Sequence, residues 1–148
     1  VGKGEINITN YPGANSIMPQ AKLHQTCNPH VHEIGKEPIS LVCQDDISDR
    51  FPCHDIDIMK IDVEGFEVNV LNGGTKFIAD HVDLIIIEIS LMRDISLEEQ
   101  SVFDIFEFMK KAGFCLVNVF DVHHTENESV MLAQMDCVFR HRRKLKEI

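Results

Sequence analysis

The sequence predicts an α/β protein with a pair of parallel strands at its centre. Two runs with strand character, residues 56–63 and 84–89, are separated by a segment of helical character that Gly73 and Gly74 interrupt. Strand, helix and strand in this order form a βαβ unit, whose strands are parallel and adjacent. The second run is apolar at successive positions, which is typical of a strand covered by helices on both faces. We therefore expect one sheet, with a right-handed crossover over residues 65–81.

Upstream of this unit, the pattern predicts two short strands and a polar connection. Residues 1–9 alternate weakly, and residues 39–43 form a second strand candidate. Asp45 and Asp46 follow, where a carboxylate can accept backbone N–H groups, so we interpret them as turn or helix N-cap residues. Within the unit, Thr75 comes directly after the glycine pair and is expected to N-cap a second short helix.

Downstream, the pattern predicts one helix and two further strands, which extend the sheet. Residues 96–99 have the spacing of a capping box, and an apolar stripe with helical spacing follows until Gly113. A capping box predicts a helix start, and a glycine after the stripe predicts its end. Residues 114–120 and 130–139 are the next strand candidates, and the second is expected to run antiparallel near the edge of the sheet.

Acidic side chains accompany both central strands. Asp62, Glu64 and Glu67 follow the first strand, and Glu88 lies in the second. Ligands of open α/β sheets bind at the carboxyl ends of the strands. Like charges that converge at such an edge are costly unless they serve a purpose. This pattern predicts a functional site, with Asp62, Glu64 and Glu88, called the acidic cluster below, as its main candidates.

Lys60 adds a positive charge to this edge. It precedes Asp62 by two positions and so lies on the same face of the strand, where an ion pair would keep Asp62 ionised. The alternative is that Lys60, Asp62 and Glu88 form only a structural ion-pair network. In that case, loss of the Asp62 charge would leave a buried ammonium group unpaired and would lower stability.

Two groups of side chains have the chemistry of metal ligands. Cys27, His30 and His32 are ligand types of zinc, but a fourth ligand at suitable spacing is not evident, and we interpret the segment as an exposed polar loop. The acidic cluster could in principle hold Mg²⁺. We favour carboxylates that act without a metal.

The segment K-I-D-V-E-G-F-E at residues 60–67, followed by V-L-N-G-G and I-I-I-E-I-S, resembles the C-terminal half of the FkbM-type methyltransferases. The resemblance covers residues 45–90. It implies a Rossmann-like methyltransferase sheet, S-adenosylmethionine as cofactor, and a hydroxyl of a small molecule or sugar as methyl acceptor. It also implies one partial domain over residues 1–148, in which residues 1–37 form a hairpin-like insertion and residues 38–148 the C-terminal α/β half. The matching positions are Lys60, Asp62, Glu64, Gly65, Glu67, Leu71, Gly73 and Glu88.

On this resemblance, Lys60, Asp62, Glu64 and Glu88 are the expected catalytic residues, and Asp62 and Gly65 are expected to contact the cofactor. The Gly-rich turn D-x-G-x-x-x-G of such enzymes does not occur in these residues. The resemblance places that turn before residue 1, so we expect the 148-residue chain to bind S-adenosylmethionine weakly and to be inactive on its own. The alternative function is a non-catalytic Rossmann-like binding or interaction module.

The composition of the chain limits which partners and which cellular compartment we expect for the protein. The formal net charge of −10 argues against nucleic-acid binding through general electrostatics. No apolar run approaches the ~20 residues of a membrane span, so we expect a soluble protein. The basic run at residues 140–146 is interpreted as a solvated tail. The five cysteines include no C-x-x-C pair, so we expect reduced thiols and a reducing compartment such as the cytoplasm. Composition leaves the oligomeric state open.

Overall fold

The computed structural model describes residues 2–19, 25, 28–48, 55–91, 101–125 and 131–145. Its strands and helices alternate along most of the chain, and two short 3₁₀ turns occupy Pro12–Ala14 and Arg142–Lys144. The elements are β1 (Gly2–Thr9), β2 (Glu33–Leu41), α1 (Gln44–Ile47), β3 (Met59–Ile61), α2 (Glu67–Gly73), α3 (Thr75–His81), β4 (Leu84–Ser90), α4 (Val102–Lys111), β5 (Phe114–His124) and β6 (Leu132–His141).

The main sheet has four strands in the order β3-β4-β6-β5. β3 and β4 are parallel, with Met59 opposite Ile85 and Ile61 opposite Ile87, so the predicted parallel pair is confirmed, although β3 lies at the edge of the described sheet and not at its centre. β6 is antiparallel to both β4 and β5, and it lies between them. The expectation that the last two strands extend the same sheet, with the final one reversed, is therefore also confirmed.

The hydrophobic core lies on one face of this sheet. Ile85, Ile87 and Ile89 of β4 are fully or almost fully buried, and they belong to one apolar cluster with residues of α2, α3 and α4. The alternate β4 residues Leu84, Ile86 and Glu88 are only partly buried. The expectation that helices cover both faces of this strand is thus wrong for the described residues, because their helical residues pack on the isoleucine face.

The first two strands form a separate antiparallel hairpin. β1 pairs with β2 along their length, from Gly2 opposite Leu41 to Thr9 opposite Glu33. β2 therefore begins earlier than the predicted strand at residues 39–43, and it continues past residue 37, where the insertion was expected to end. The hairpin is tied to the main sheet through Ser16, whose contacts are described with the site.

The N-terminus of α3 is capped by a residue that is distant in the sequence. Thr75 is the first residue of the helix and Gly74 occupies the N-cap position, so the prediction that Thr75 is the N-cap is wrong. Instead, Asp45 accepts hydrogen bonds from the backbone N–H groups of Lys76 at 3.1 Å and Phe77 at 2.8 Å. Asp45 itself lies inside α1, whose N-cap is Cys43, so the expectation that Asp45 is a turn or N-cap residue is wrong, although its carboxylate does accept helix N–H groups.

Helix α4 begins with a capping box, although at a different place from the one predicted. The Ser101 hydroxyl accepts from the Phe103 N–H, and the Asp104 carboxylate accepts from the Ser101 N–H. The predicted capping box at residues 96–99 lies outside the described residues. The helix ends before Gly113, which has a φ of +87° and so provides the left-handed conformation that the sequence predicted there.

The basic C-terminal run is bound to the fold. Arg143 donates to the carbonyl oxygens of Ala79 at 2.6 Å and Val82 at 2.8 Å, and it contacts the Asp83 carboxylate at 3.2 Å. Because the last carbonyls of a helix have no partner within the helix, Arg143 caps the C-terminus of α3. The prediction of a solvated tail is therefore wrong for this part of the run. Lys146 lies outside the described residues.

The structure also describes the state of three cysteines and the apolar character of the helices. Cys43, Cys115 and Cys137 are free thiols, and the last is buried in β6, while Cys27 and Cys53 lie outside the described residues. Across the described ranges, no helix has both the length and the apolar character needed to cross a membrane.

We predict that Arg143→Ala lowers the melting temperature by roughly 2–6 °C, because it removes hydrogen bonds from two helix-end carbonyls and one ion pair. Arg142→Ala is the matched control, since the Arg142 side chain donates to the thiol of Cys115 at 3.2 Å and to no other group of the described residues. Circular dichroism melts of both variants beside the unaltered protein provide the measurement. Equal melting temperatures for the two variants would contradict the capping role of Arg143.

Candidate active site

The sheet brings the acidic cluster together at the carboxyl ends of β3 and β4. Ile61 pairs with Ile87, so Asp62, the next residue, is level with Glu88 on the neighbouring strand. Glu64 follows in the turn after β3. One carboxylate oxygen from each of Asp62, Glu64 and Glu88 lies within 4.8 Å of the others. The structure thus assembles the three acids that the sequence singled out.

A fourth acid, Asp136, belongs to the same surface and was missed in the sequence. It lies opposite Glu88 in the pairing of β4 with β6, and it is 9% exposed. It accepts a hydrogen bond from the Lys60 ammonium group at 3.3 Å. The pattern of apolar and polar residues in β6 does not predict that Asp136 lies beside Glu88. That position depends on which strand β6 pairs with and on the register of the pairing.

Lys60 lies between two carboxylates. Its ammonium nitrogen is 3.3 Å from Asp62 Oδ2 and 3.3 Å from Asp136 Oδ1, so the expected ion pair with Asp62 forms. Burial alone would lower the pKa of Lys60, but the hydrogen bond to Asp136 and the charges of both acids raise it above its usual range. The Lys60 side chain is 44% exposed, so loss of Asp62 would not leave a buried, unpaired ammonium group.

Glu88 has a pKa near neutrality. Burial disfavours its charged form and, together with the negative charges of Asp62, Glu64 and Asp136, raises its pKa to about 7, although Lys60 acts in the opposite direction. A carboxylate with such a pKa exchanges a proton readily at physiological pH. General acids and bases in enzymes have this property, and strongly shifted pKa values are concentrated at functional sites.

The turn that carries Glu64 has an unusual backbone. Glu64 has a φ of +51° and Gly65 a φ of +97°, so two consecutive residues are left-handed. Gly65 adopts this conformation without steric cost, whereas Glu64 does not. The Gly65 N–H donates to the Glu67 carboxylate at 2.9 Å, and the Ser16 hydroxyl donates to the Glu64 carbonyl at 2.8 Å. Helix α2 then begins at Glu67, close to its predicted start.

Two cavities open beside this turn. One of about 450 Å³ lies beneath the hairpin and is lined by Glu64, Ser90 and hairpin residues that include Ser16. The other, of about 560 Å³, is lined by Asp62 and Phe66 among others. Both volumes fall within the ~300–1,000 Å³ typical of sites for small ligands. Asp62 and Glu64 therefore line different cavities, and Ser16 lines both.

The other potential metal ligands do not assemble. His30 and His32 are exposed, and Cys27 lies outside the described residues. Within the described ranges, the acidic cluster is the single group of three or more such side chains whose ligand atoms come close together. Its spacing is compatible with a shared cation. That the carboxylates act without a metal stays a prediction.

The site has the features of an enzyme site on an α/β sheet. It lies at an acidic edge formed by parallel strands, cavities adjoin it, and one of its carboxyl groups has a near-neutral pKa. The model of the methyltransferase FkbM domain matches residues 2–116. The chain belongs to this family, as the sequence motif indicated, and this membership supports methyltransferase activity. Comparison with curated proteins and with solved structures gives no match.

The raised pKa of Glu88 predicts a pH-dependent difference in stability. Its folded value of about 7 exceeds the ordinary 4.5, so its contribution to stability is fully present below pH 4.5 and is lost as the pH rises through 7. Glu88→Gln cannot ionise. We therefore expect the melting temperature of the variant, relative to the unaltered protein, to rise between pH 4.5 and pH 8.

Thermal melts at several pH values across this range check the expectation. Glu5→Gln, at an exposed position of the hairpin, provides the control, whose difference from the unaltered protein should not follow the same course. If the difference in melting temperature between Glu88→Gln and the unaltered protein stays constant from pH 4.5 to 8, the raised pKa of Glu88 is contradicted.

Proposed function

We propose that the protein is an S-adenosylmethionine-dependent methyltransferase that methylates a hydroxyl group of a small molecule or sugar. Membership of the FkbM methyltransferase domain family supports the reaction class. The observation that carries the proposal further is the acidic cluster at the carboxyl ends of β3 and β4, in which Glu88 has a pKa of about 7. A group that accepts a proton from a hydroxyl needs a pKa in this region.

The sheet supports a Rossmann-like architecture. β3, β4 and β5 share one direction, because β6 is antiparallel to both β4 and β5. The connection from β3 to β4 contains helices α2 and α3, as expected for a parallel crossover. A single reversed strand next to the edge strand agrees with the methyltransferase-type sheet that the sequence resemblance implied. The fold and the family thus support the same class of enzyme.

The charge at this edge suits a cationic cofactor. Four carboxylates, those of the acidic cluster and Asp136, lie near the ammonium group of Lys60. S-adenosylmethionine carries a positively charged sulfonium, which supplies an electrophilic methyl group when the cofactor is bound. In the proposal, Asp62 contacts the cofactor from the larger cavity, and Lys60 orients the Asp62 carboxylate. The backbone at Gly65 is the second cofactor contact that the family resemblance implies.

The acceptor would lie in the cavity of about 450 Å³, which shares Ser16 with the larger one. Glu64 lines the cavity beneath the hairpin, where its carboxylate can accept a hydrogen bond from the acceptor and orient it. When bound, the cofactor would supply the methyl group that the acceptor oxygen takes up. The hydroxyl proton passes to the ionised Glu88 carboxylate, which later releases it to solvent. Atoms and charges balance without a further reactant.

One observation favours a second candidate function, the non-catalytic interaction module. Exposed apolar surface is a feature of interaction sites, and β5 exposes five large apolar side chains. These are Leu116, Val117, Val119, Phe120 and Val122, each between 38% and 46% exposed. The measurements below separate the two functions, because only the enzyme transfers a methyl group. The free thiols support the expectation of a reducing compartment under either function.

We predict that methyl transfer by the full-length protein has an acid limb near pH 7, because Glu88 must lose its proton to act as a base. Glu88→Gln should remove this limb and lower turnover by roughly two to four orders of magnitude. The measurement is the transfer of a labelled methyl group from S-adenosylmethionine to a panel of sugars and hydroxylated small molecules over a range of pH. Glu107→Gln, on the exposed surface of α4, is the control. A limb that persists in Glu88→Gln would assign the proton to another group.

We predict that Asp62→Asn lowers turnover by roughly two to four orders of magnitude. Its melting temperature should change little, because Lys60 keeps Asp136 as a partner and is 44% exposed. Turnover and melting temperature are measured side by side, with Asp57→Asn, at an exposed position before β3, as the matched control. Near-normal turnover with a lowered melting temperature would assign Asp62 to a structural ion-pair network.

A further inference from the structure

The turn at Glu64 and Gly65 needs external contacts to hold its shape. A non-glycine residue at a φ of +51° is strained, and such residues persist where surrounding contacts determine the conformation. Glu67, only two positions further along the chain, provides one contact by accepting the Gly65 N–H at 2.9 Å. This bond fixes the second residue of the turn but does not contact the carbonyl of Glu64.

The hairpin provides a contact to the Glu64 carbonyl through Ser16. Its hydroxyl donates to the Glu64 carbonyl at 2.8 Å and lies 3.4 Å from the Val63 carbonyl. Ser16 and Glu64 are 48 positions apart in the sequence. Ser16 is only 6% exposed, so water does not compete freely for the bond. One side chain thereby joins the hairpin to the strained residue of the acidic cluster.

Ser16 is itself held rigidly. Its backbone N–H and carbonyl pair with Asn7 of β1, and its hydroxyl also accepts the N–H of Met18 at 3.0 Å. The buried Asn7 side chain donates to the carbonyls of Ser16 at 3.0 Å, Ile17 at 3.3 Å and Met18 at 3.1 Å. Such a network restricts where the Ser16 hydroxyl can point, and a fixed donor can in turn fix its acceptor.

We infer that Ser16 is a positioning residue, which holds the left-handed turn so that the Glu64 carboxylate stays beside Asp62 and Glu88. The inference rests on the proposed function, in which Glu64 orients the acceptor. It assigns the hairpin a role in the reaction in addition to its place over the cavity. A purely structural role would differ, because Ser16 would then only anchor the hairpin and its loss would release β1.

The test compares Ser16→Ala with Ser16→Thr, which keeps the hydroxyl, and with Ser40→Ala, which removes an exposed hydroxyl from β2. Hydrogen–deuterium exchange of the full-length protein is followed in a peptide covering residues 62–68 and in one covering residues 2–9. In Ser16→Ala, we expect exchange in the first peptide to accelerate about fivefold, as for the loss of one hydrogen bond. Exchange in the second peptide should remain unchanged.

Kinetics provide the second readout. Ser16→Ala should lower kcat at least about tenfold, because a displaced orienting group costs turnover, while the acceptor KM stays within about threefold. Ser16→Thr should recover most of both effects, and Ser40→Ala should show neither. Faster exchange in residues 2–9 together with 62–68 would overturn the inference in favour of an anchor. Faster exchange of the turn with unaltered kcat would overturn it as well, and so would unaltered exchange.

These outcomes are separable from a failure of the proposed function. If the unaltered protein transfers no methyl group to any acceptor, the proposed function fails whatever Ser16 does. The exchange measurement still decides whether Ser16 holds the turn, because it needs neither cofactor nor acceptor. If the unaltered protein is active and Ser16→Ala matches it in both readouts, the proposed function stands and the inference about Ser16 is wrong.

Discussion

The parallel pairing of β3 with β4 is the constraint on which the candidate site depends. Three register pairs, from Met59 with Ile85 to Ile61 with Ile87, place the ends of both strands at the same level. On one face this register aligns isoleucines into the core, where Ile85 and Ile87 are fully buried. A shift by one residue would move these side chains to the other face, so burial fixes the register strongly. The same register then brings Asp62 level with Glu88.

Carboxylates collected in this way repel one another, and the structure relieves the repulsion in two ways. Lys60 compensates part of the charge by contacting both Asp62 and Asp136 at 3.3 Å. Glu88 lies in β4 between these two acids, and its pKa rises to about 7, so near neutral pH it is partly protonated. The proton on Glu88 is thus a consequence of how the sheet is assembled. A carboxyl group with this pKa is suited to exchange a proton near neutral pH.

The features that could be predicted from the sequence are those that local patterns determine. Apolar runs and the glycine break identified β3, α2 and β4, and the acids at the strand ends identified the cluster. Asp136 could not be found in this way, because its place beside Glu88 depends on the insertion of β6 between β4 and β5. The contact of Ser16 with Glu64 joins residues that are 48 positions apart. The capping of α3 by Asp45 joins residues that are 31 and 32 positions apart. Neither contact leaves a local signal.

Backbone strain gives an independent reason to place function at the turn after β3. Within the described residues, two non-glycine residues have positive φ, Glu64 and Asp121. Asp121 lies where the register of β5 against β6 shifts, and its carboxylate pairs with His123 at 3.1 Å, so a bulge in an exposed edge strand accounts for it. Glu64 has no bulge to explain it. Its strain coincides with the acidic cluster and with the contact to Ser16, and strain retained where charges also converge is characteristic of functional sites.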